Sequence, residues 1–507
     1  MSIDEDNIST LLSSASLILV GQLLFSVSKL GERIIIAQML TPQAYGEVSI
    51  GLAVVMISTT VALVGLRQGV PRYISRYDDA RDIRGAWVTG ILIAGVIGSV
   101  VAIGLAVETE TVVGLLFEQA DSTGLLFLFA VAIPFVIGMQ VGIGAIRGFE
   151  NTLYRTYTRD LLYPGLRIAA LVVFLWAGFG ILAAGYAYLI AAVTTFVAVH
   201  VLLNRLIPLV GEVRTHVREM LTFSIPLVIS TLLSRLLTRT DTLMLGYFDT
   251  SYQVGLYNAA FPLASALVLV LSSFGFMYLP MASRLDAENK REEVDAIYKV
   301  TTKWIYIVTF PGFLTMVVFS RDVIAVTFGA EYTPASTALS ILALGFFTRA
   351  TFGRSRETLS AFGHTTYLLV TNSFAFVLNI GLNLFLIPRY GSTGAAVASA
   401  VSFIGLNVAV FAFLSRQFGV SPFSRWTRRT VVVLPVCLFP PALVLDSQIS
   451  LTLVPLVVFV AVAELAAIAV VTVTGCLQPE DEILIEFVEN RIGIDVPLIR
   501  QYVTDST

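Results

Sequence analysis

Charge is what this chain has least of: only 13% of its 507 residues are Asp, Glu, Lys or Arg, about half the share usual in soluble domains. Lysine occurs at four positions, and no Gly-Lys dipeptide occurs anywhere, so the Gly-rich loop that cradles nucleotide phosphates is absent and ATP is not the direct energy source. A formal net charge of −3 leaves no basic surplus to hold a nucleic acid. The two cysteines, Cys437 and Cys476, lie in or near apolar runs and suggest no disulfide. The histidines, His200, His216 and His364, show no metal-ligand spacing, and no cofactor is expected. The first ten residues are acidic, unlike the start of a cleaved signal peptide, so the first apolar run is expected to stay. Long polar stretches are lacking too. The longest, at 67–84, 204–219 and 280–302, are too short for a separate soluble domain.

What is there is apolar. Hydrophobic residues make up 56% of the chain, broken into runs of roughly 18 to 30 residues, each long enough for a helical membrane span. The expectation is an all-α, polytopic membrane protein with about fourteen spans: 11–39, 44–66, 85–107, 123–146, 160–177, 181–203, 220–246, 254–279, 303–320, 334–350, 365–387, 393–414, 429–445 and 451–475. Basic residues set its orientation. Alternate loops carry Arg67, Arg72, Arg76, Arg81 and Arg84, then Arg147, Arg155 and Arg159, and so on along the chain, whereas the intervening loops hold only Arg321 and Arg389. That bias places the protein in the cell membrane with both termini cytoplasmic.

The first span is not purely apolar. It carries Gln22, Ser26, Lys29, Glu32 and Arg33, and the spacing of 22, 26, 29 and 33 puts those four in one helical stripe with Glu32 beside it. A charge near the bilayer centre costs about 2.5 to 3.5 kcal/mol on insertion scales, so such residues face a bundle interior or a water-filled pathway. A second polar seam runs through 231–242, with Ser234, Arg235, Thr238, Arg239 and Asp241. Each seam reads either as the lining of a substrate cavity or as an ion-pair network that only fixes helix packing. Arg167, a few residues inside its span, could snorkel to the membrane surface.

The two seams are related by an internal repeat. Glu32, Gly46 and Pro71 recur as Asp241, Gly255 and Pro280, all 209 residues later, and Phe149, Tyr154 and Gly180 recur as Phe362, Tyr367 and Gly391 at nearly the same offset. That offset covers six spans, an even number, so the halves are parallel and related by an axis along the membrane normal. The domains expected are a six-helix lobe over 1–204, a second over 205–415, two additional spans over 416–475, and a cytoplasmic amphipathic tail over 476–507. In the tail Pro479 and the acids after it read as a helix start. Of the remaining intramembrane polar residues, Glu464 stands alone in the last span as a protonated, paired or proton-carrying acid. Asn372, Asn379 and Asn383 share one helix face and read as interhelical hydrogen-bond partners or as contacts for sugar hydroxyls.

The stretches LTPQAYGEVSI (40–50), RTDTLMLGYFDTSYQVGLYNAA (239–260), FGAEYTPASTALSILALG (328–345) and LNIGLNLFLIPRYGSTGAAVASAVS (378–402) resemble the polysaccharide, or Wzx-type oligosaccharide, flippases, over nearly the whole chain. The wider superfamily holds lipid II flippases and multidrug exporters. The resemblance implies two six-helix lobes around an alternating central cavity, and fourteen spans favour the lipid-linked glycan branch. The charge balance favours the same branch for a physical reason: Lys29, Arg33, Arg235 and Arg239 outnumber Glu32 and Asp241, and Arg forks suit an anionic phosphate headgroup. The expected partners are a lipid-linked oligosaccharide, membrane lipids and a coupling ion, H⁺ or Na⁺. Substrate binding is assigned to the four cations, coupling or ion pairing to Glu32, Asp241 and Glu464, and glycan contact to Gln22, Asn372, Asn379 and Asn383. A cation antiporter on the same scaffold and a membrane glycosyltransferase are the alternatives, although the acidic outer loop near Glu108–Asp121 is short for a catalytic one.

Overall fold

In the computed structural model the described residues are 21, 24–118, 122–236, 238–273, 275–478 and 481, and every regular element among them is helical. Ten of these helices are long and apolar enough to cross a membrane. Their outward faces stay apolar: Val96, Val100 and Ile103 on one helix and Val457, Val458, Val462 and Leu465 on another are exposed, as a lipid-facing surface requires. The tail beyond Asp481, Pro479 and Gln22 lie outside the described residues.

The chain forms two compact units, Met1–Gly255 and Leu256–Thr507. The first holds α1 (24–39), α2 (Pro42–Ala62), α3 (Leu66–Ile74), α4 (Ala80–Val107), α5 (Thr109–Leu116), α6 (Ser122–Gly148), α7 (Thr152–Arg155), a π-helical segment (Thr156–Leu162), α8 (Tyr163–Trp176), α9 (Leu182–Leu206), α10 (Val217–Leu236) and α11 (Thr240–Phe248). Its centre is α6, packed on α2, α3, α4 and α9. Phe129, Ile133 and Ile137 of α6 are fully buried there. Helix starts follow local chemistry. The Thr41 hydroxyl accepts from the Ala44 amide at 3.3 Å, with Pro42 pre-set as the first residue of α2, and Asp79 accepts from the Arg81 amide at 2.9 Å at the start of α4. Glu47, a fully buried acid of α2, accepts from the Ser122 hydroxyl at the first turn of α6, where the helix dipole favours negative charge.

The 209-residue offset has a local counterpart in the packing. A Cβ on Gly46 would overlap the Ser251 carbonyl oxygen, and a Cβ on Gly255 would overlap that of Pro42. Pro42 and Gly46 are the offset mates of Ser251 and Gly255, so equivalent positions contact one another reciprocally, and only glycine admits two helix backbones this close.

The second unit is built from α12 (Ser251–Ser273), whose first five residues belong to the first unit, α13 (Gly275–Ala287), α14 (Arg291–Val318), α15 (Ser320–Thr327), a 3₁₀ turn (Ala330–Ala335), α16 (Ser336–Phe352), α17 (Ser355–Ala361), α18 (Thr365–Phe418), α19 (Arg425–Asp446) and α20 (Leu453–Val473). Phe313 of α14 and Phe347 of α16 stack at 4.1 Å in its core. The 54 residues of α18 are two helices. Gly391 has φ 52° and ψ −132°, and a Cβ on Gly394 would meet the Leu386 carbonyl, a contact that eight residues of straight helix forbid. The chain therefore reverses at Gly391. Asn379 Nδ2 donates to Ser399 Oγ at 3.4 Å, and Tyr367 stacks on Phe413 at 3.9 Å. This antiparallel hairpin is where the sequence places the spans 365–387 and 393–414.

Candidate functional site

The polar seams of α1 and of α10–α11 meet inside the first unit. Lys29 lies within electrostatic reach of Arg33, Arg235, Arg239 and Arg167 at once, so three separate stretches of chain bring cations into one region. Lys29 stays exposed, and Arg33, Arg235 and Arg239 are half-buried. Lys29 and Arg33 form no hydrogen bond or ion pair among the described residues. Arg235 Nη1 lies 3.9 Å from the Met56 thioether sulfur, a soft and weak acceptor, and has no carboxylate. Arg239 and Arg33 both act on the buried Tyr45 hydroxyl of α2.

The acids of the two seams are placed otherwise. Glu32 pairs with Arg167 of α8, and the pair is largely shielded, with side-chain exposures of 12% and 17%. The Arg167 guanidinium also lies 4.8 Å from the Tyr188 ring centre and 5.5 Å from that of Tyr163, so aromatic faces hold it as well as the carboxylate. Asp241 is buried at the first turn of α11 and makes interactions of its own. With Glu32 engaged and Asp241 buried, the accessible charge of this region is positive. The position of Arg167 near the end of its span points to the membrane surface; its pairing with Glu32 has no local signal, since the two lie 135 residues apart.

The other sequence-derived candidates lie in the second unit. Asn372 accepts from Arg356 Nη2 at 3.0 Å, Asn383 donates to Asn379 at 3.1 Å, and Asn379 in turn donates to Ser399. Asn379 and Asn383 are fully buried, with their amides engaged inside the hairpin. Glu464 sits midway along α20, half-buried, with no hydrogen bond or ion pair among the described residues. No group of three metal-ligating side chains occurs among the described residues.

Comparison with known proteins adds a lineage to this geometry. The family model described as polysaccharide biosynthesis protein matches residues 11–286, and the MatE model matches residues 226–385. The protein named "Probable low-salt glycan biosynthesis flippase Agl15" of Haloferax volcanii is 29% identical over 181 residues, which is 35% of this chain and 38% of that one, so the match spans well under half of the relative. Among solved structures, the lipid II flippase MurJ in an inward closed conformation superposes with a TM-score of 0.73 at 12% identity, covering 90% of this chain and 98% of that one. An inward-facing multidrug resistance transporter of the MATE family superposes with a TM-score of 0.67 at 15% identity, covering 78% of this chain and 94% of that one. At those identities the likeness shows a shared fold.

Proposed function

Since the chain belongs to the polysaccharide biosynthesis protein family, we propose that it is a secondary transporter that flips a polyprenyl- or dolichyl-linked oligosaccharide from the cytoplasmic to the outer leaflet of the cell membrane by alternating access. In this reading the Arg-rich loops and both termini are cytoplasmic, in keeping with the basic-residue bias.

The observation that carries the reading is the group of cations without acids. Lys29 and Arg33 have no partner among the described residues, and Arg235 touches only a thioether. Half-burial of Arg33 and Arg235 without a carboxylate is costly unless something negative joins them. A phosphate or pyrophosphate linkage supplies that charge, and guanidinium forks bind it through paired, charge-assisted hydrogen bonds. Arg239, just before α11, adds a further cation to the region although it makes interactions of its own, and membrane lipids surround the carrier chain. A cation antiporter on the same scaffold needs an available acid in this region, and Glu32 is engaged by Arg167. Coupling to H⁺ or Na⁺ would have to involve Asp241 or Glu464, or opening of the Glu32–Arg167 pair.

The test is complementation of a flippase-deficient host. Alanine at Arg33 or Arg235 removes charged hydrogen bonds worth about 1.5 to 3 kcal/mol each, so surface glycan should fall by roughly tenfold or more while the protein still reaches the membrane in normal amount. Lysine at either position should restore only part of the signal, because an ammonium cannot grip two oxygens in a fork. Full surface glycan from both alanine variants at normal protein level would sink the assignment.

A further inference from the structure

Basic residues extend beyond this set toward the Arg-rich end of the first unit. Arg67 stands in the first turn of α3, Arg147 in the last turn of α6, and Arg155 and Arg159 where α7 gives way to the π-helical segment. Arg147 Nη2 donates to the Arg67 carbonyl at 3.5 Å, which ties α6 to α3 at this point. The Arg67 side chain lies within electrostatic reach of Arg159, Arg147, Arg155 and Arg235. Winding of the π type spaces residues so that Arg155 and Arg159 fall just under a turn apart and project to one side.

Counter-charge at this cluster is nearly absent. Arg67 and Arg155 make no side-chain hydrogen bond or ion pair among the described residues. Arg159 has one acid, Asp160, at 3.7 Å from its Nε, and it also lies 5.7 Å from the Phe25 ring centre. Asp160 is wholly buried against Gly21 of the first span, and neither of its carboxylate oxygens accepts a hydrogen bond among the described residues. Its charge acts on Arg159 and Arg155 and leaves Arg67 and Arg147 without an acid among the described residues. Cations that only set membrane orientation can extend their heads into water and the headgroup layer and need not converge. Here they converge from three helices, Arg67, Arg155 and Arg159 are half-buried, and they repel one another in a partly desolvated place, an arrangement that a multiply charged anion would turn from unfavourable to favourable.

We propose that Arg67, Arg147, Arg155 and Arg159 form a second, separate anion site that receives the phosphate or pyrophosphate head of the substrate lipid before it reaches Lys29 and Arg33. The assignment of a lipid as the bearer of that phosphate rests on the flippase reading; the phosphate chemistry does not. Arg235 joins the two sites. It lies within reach of Arg159 on one side and of Lys29 on the other, so a phosphate passing between them keeps a guanidinium beside it.

The experiment uses full-length protein in phosphatidylcholine nanodiscs, with farnesyl pyrophosphate and inorganic pyrophosphate as probes and a third arm in discs containing phosphatidylglycerol. Two variants are compared, Arg67→Gln with Arg155→Gln, and Lys29→Gln with Arg33→Gln; each must melt like the parent. Should the first not fold, the exposed Arg147→Gln gives the same reading. The parent is expected to bind farnesyl pyrophosphate at two sites. The first variant should weaken one of them by roughly tenfold or more and leave the other unchanged, while inorganic pyrophosphate binds the parent more weakly throughout. Parental binding by the first variant overturns the second site. A defect confined to phosphatidylglycerol discs overturns it too, by making the cluster a general patch for acidic membranes. Equal affinity for inorganic pyrophosphate overturns the lipid assignment and leaves a site for free phosphate. If only the second variant binds normally, the Lys29–Arg33 assignment fails and this cluster stands.

Discussion

Two groups of cations, one in each unit, are partnered in opposite ways. In the second, Lys303 is fully buried and pairs with the equally buried Asp481, whose carboxylate also accepts from the Trp304 indole at 2.8 Å and from the Gln478 amide at 2.8 Å. Arg354, almost as deep, reaches Glu357 at 3.4 Å, and Arg349 reaches the same carboxylate at 3.8 Å. In the first unit Lys29, Arg33, Arg67 and Arg155 have no such partners among the described residues. Depth alone therefore does not mark a functional cation. A cation with a matching acid holds the fold together; one kept partly accessible without an acid is free of that task, and for these we propose a ligand.

Breaking the Lys303–Asp481 pair should give the largest effect on stability. Asp481→Ala leaves a buried ammonium uncompensated, and the expected loss is about 3 to 5 kcal/mol, seen as a large drop in thermal midpoint and in the amount of folded protein. Adding Lys303→Met should recover most of it, because two apolar groups cost less than one lone charge. A normal melting profile for Asp481→Ala would remove this end of the comparison.

Glu32→Gln should come next. The Glu32–Arg167 pair is shielded but not sealed, so about 1.5 to 3 kcal/mol is expected, softened by the aromatic rings around Arg167. A double-mutant cycle with Arg167→Met should show coupling between the two positions. Additive losses would mean that the pair contributes nothing to the fold.

The smallest effect on stability should come from Lys29→Met, within about 0.5 kcal/mol of the parent, since no contact is lost. Transport of surface glycan should nevertheless fall. A variant that unfolds, or one that transports normally, would erase the contrast between the two units.

Much of this was legible in the chain before its folding was known, and the reasons differ by residue. The helices came from the length of the apolar runs, and the seams came from charges spaced along single helices, both local properties. The 209-residue offset relates Gly46 to Gly255 in the sequence; their mutual contact has no signal there, because an offset does not say which residues touch. Arg167 with Glu32, and Lys303 with Asp481, are partners across 135 and 178 residues, and nothing near either member announces the other. Along the chain Arg67, Arg147, Arg155 and Arg159 carry only a signal of membrane orientation, since their convergence depends on how α3, α6 and the π-helical segment pack.

The reversal at Gly391 bears on how the protein is made. A nascent chain is threaded into the membrane segment by segment, and Asn379 and Asn383 lie in a run that would otherwise meet lipid with bare amides, each an obstacle to partitioning. With the turn at Gly391 and the bond from Asn379 to Ser399 inside one continuous 54-residue stretch, both passes can leave the translocon as a pair whose polar groups already face each other. For Asn379 and Asn383, then, the hairpin itself supplies hydrogen-bond partners as the two passes enter the membrane.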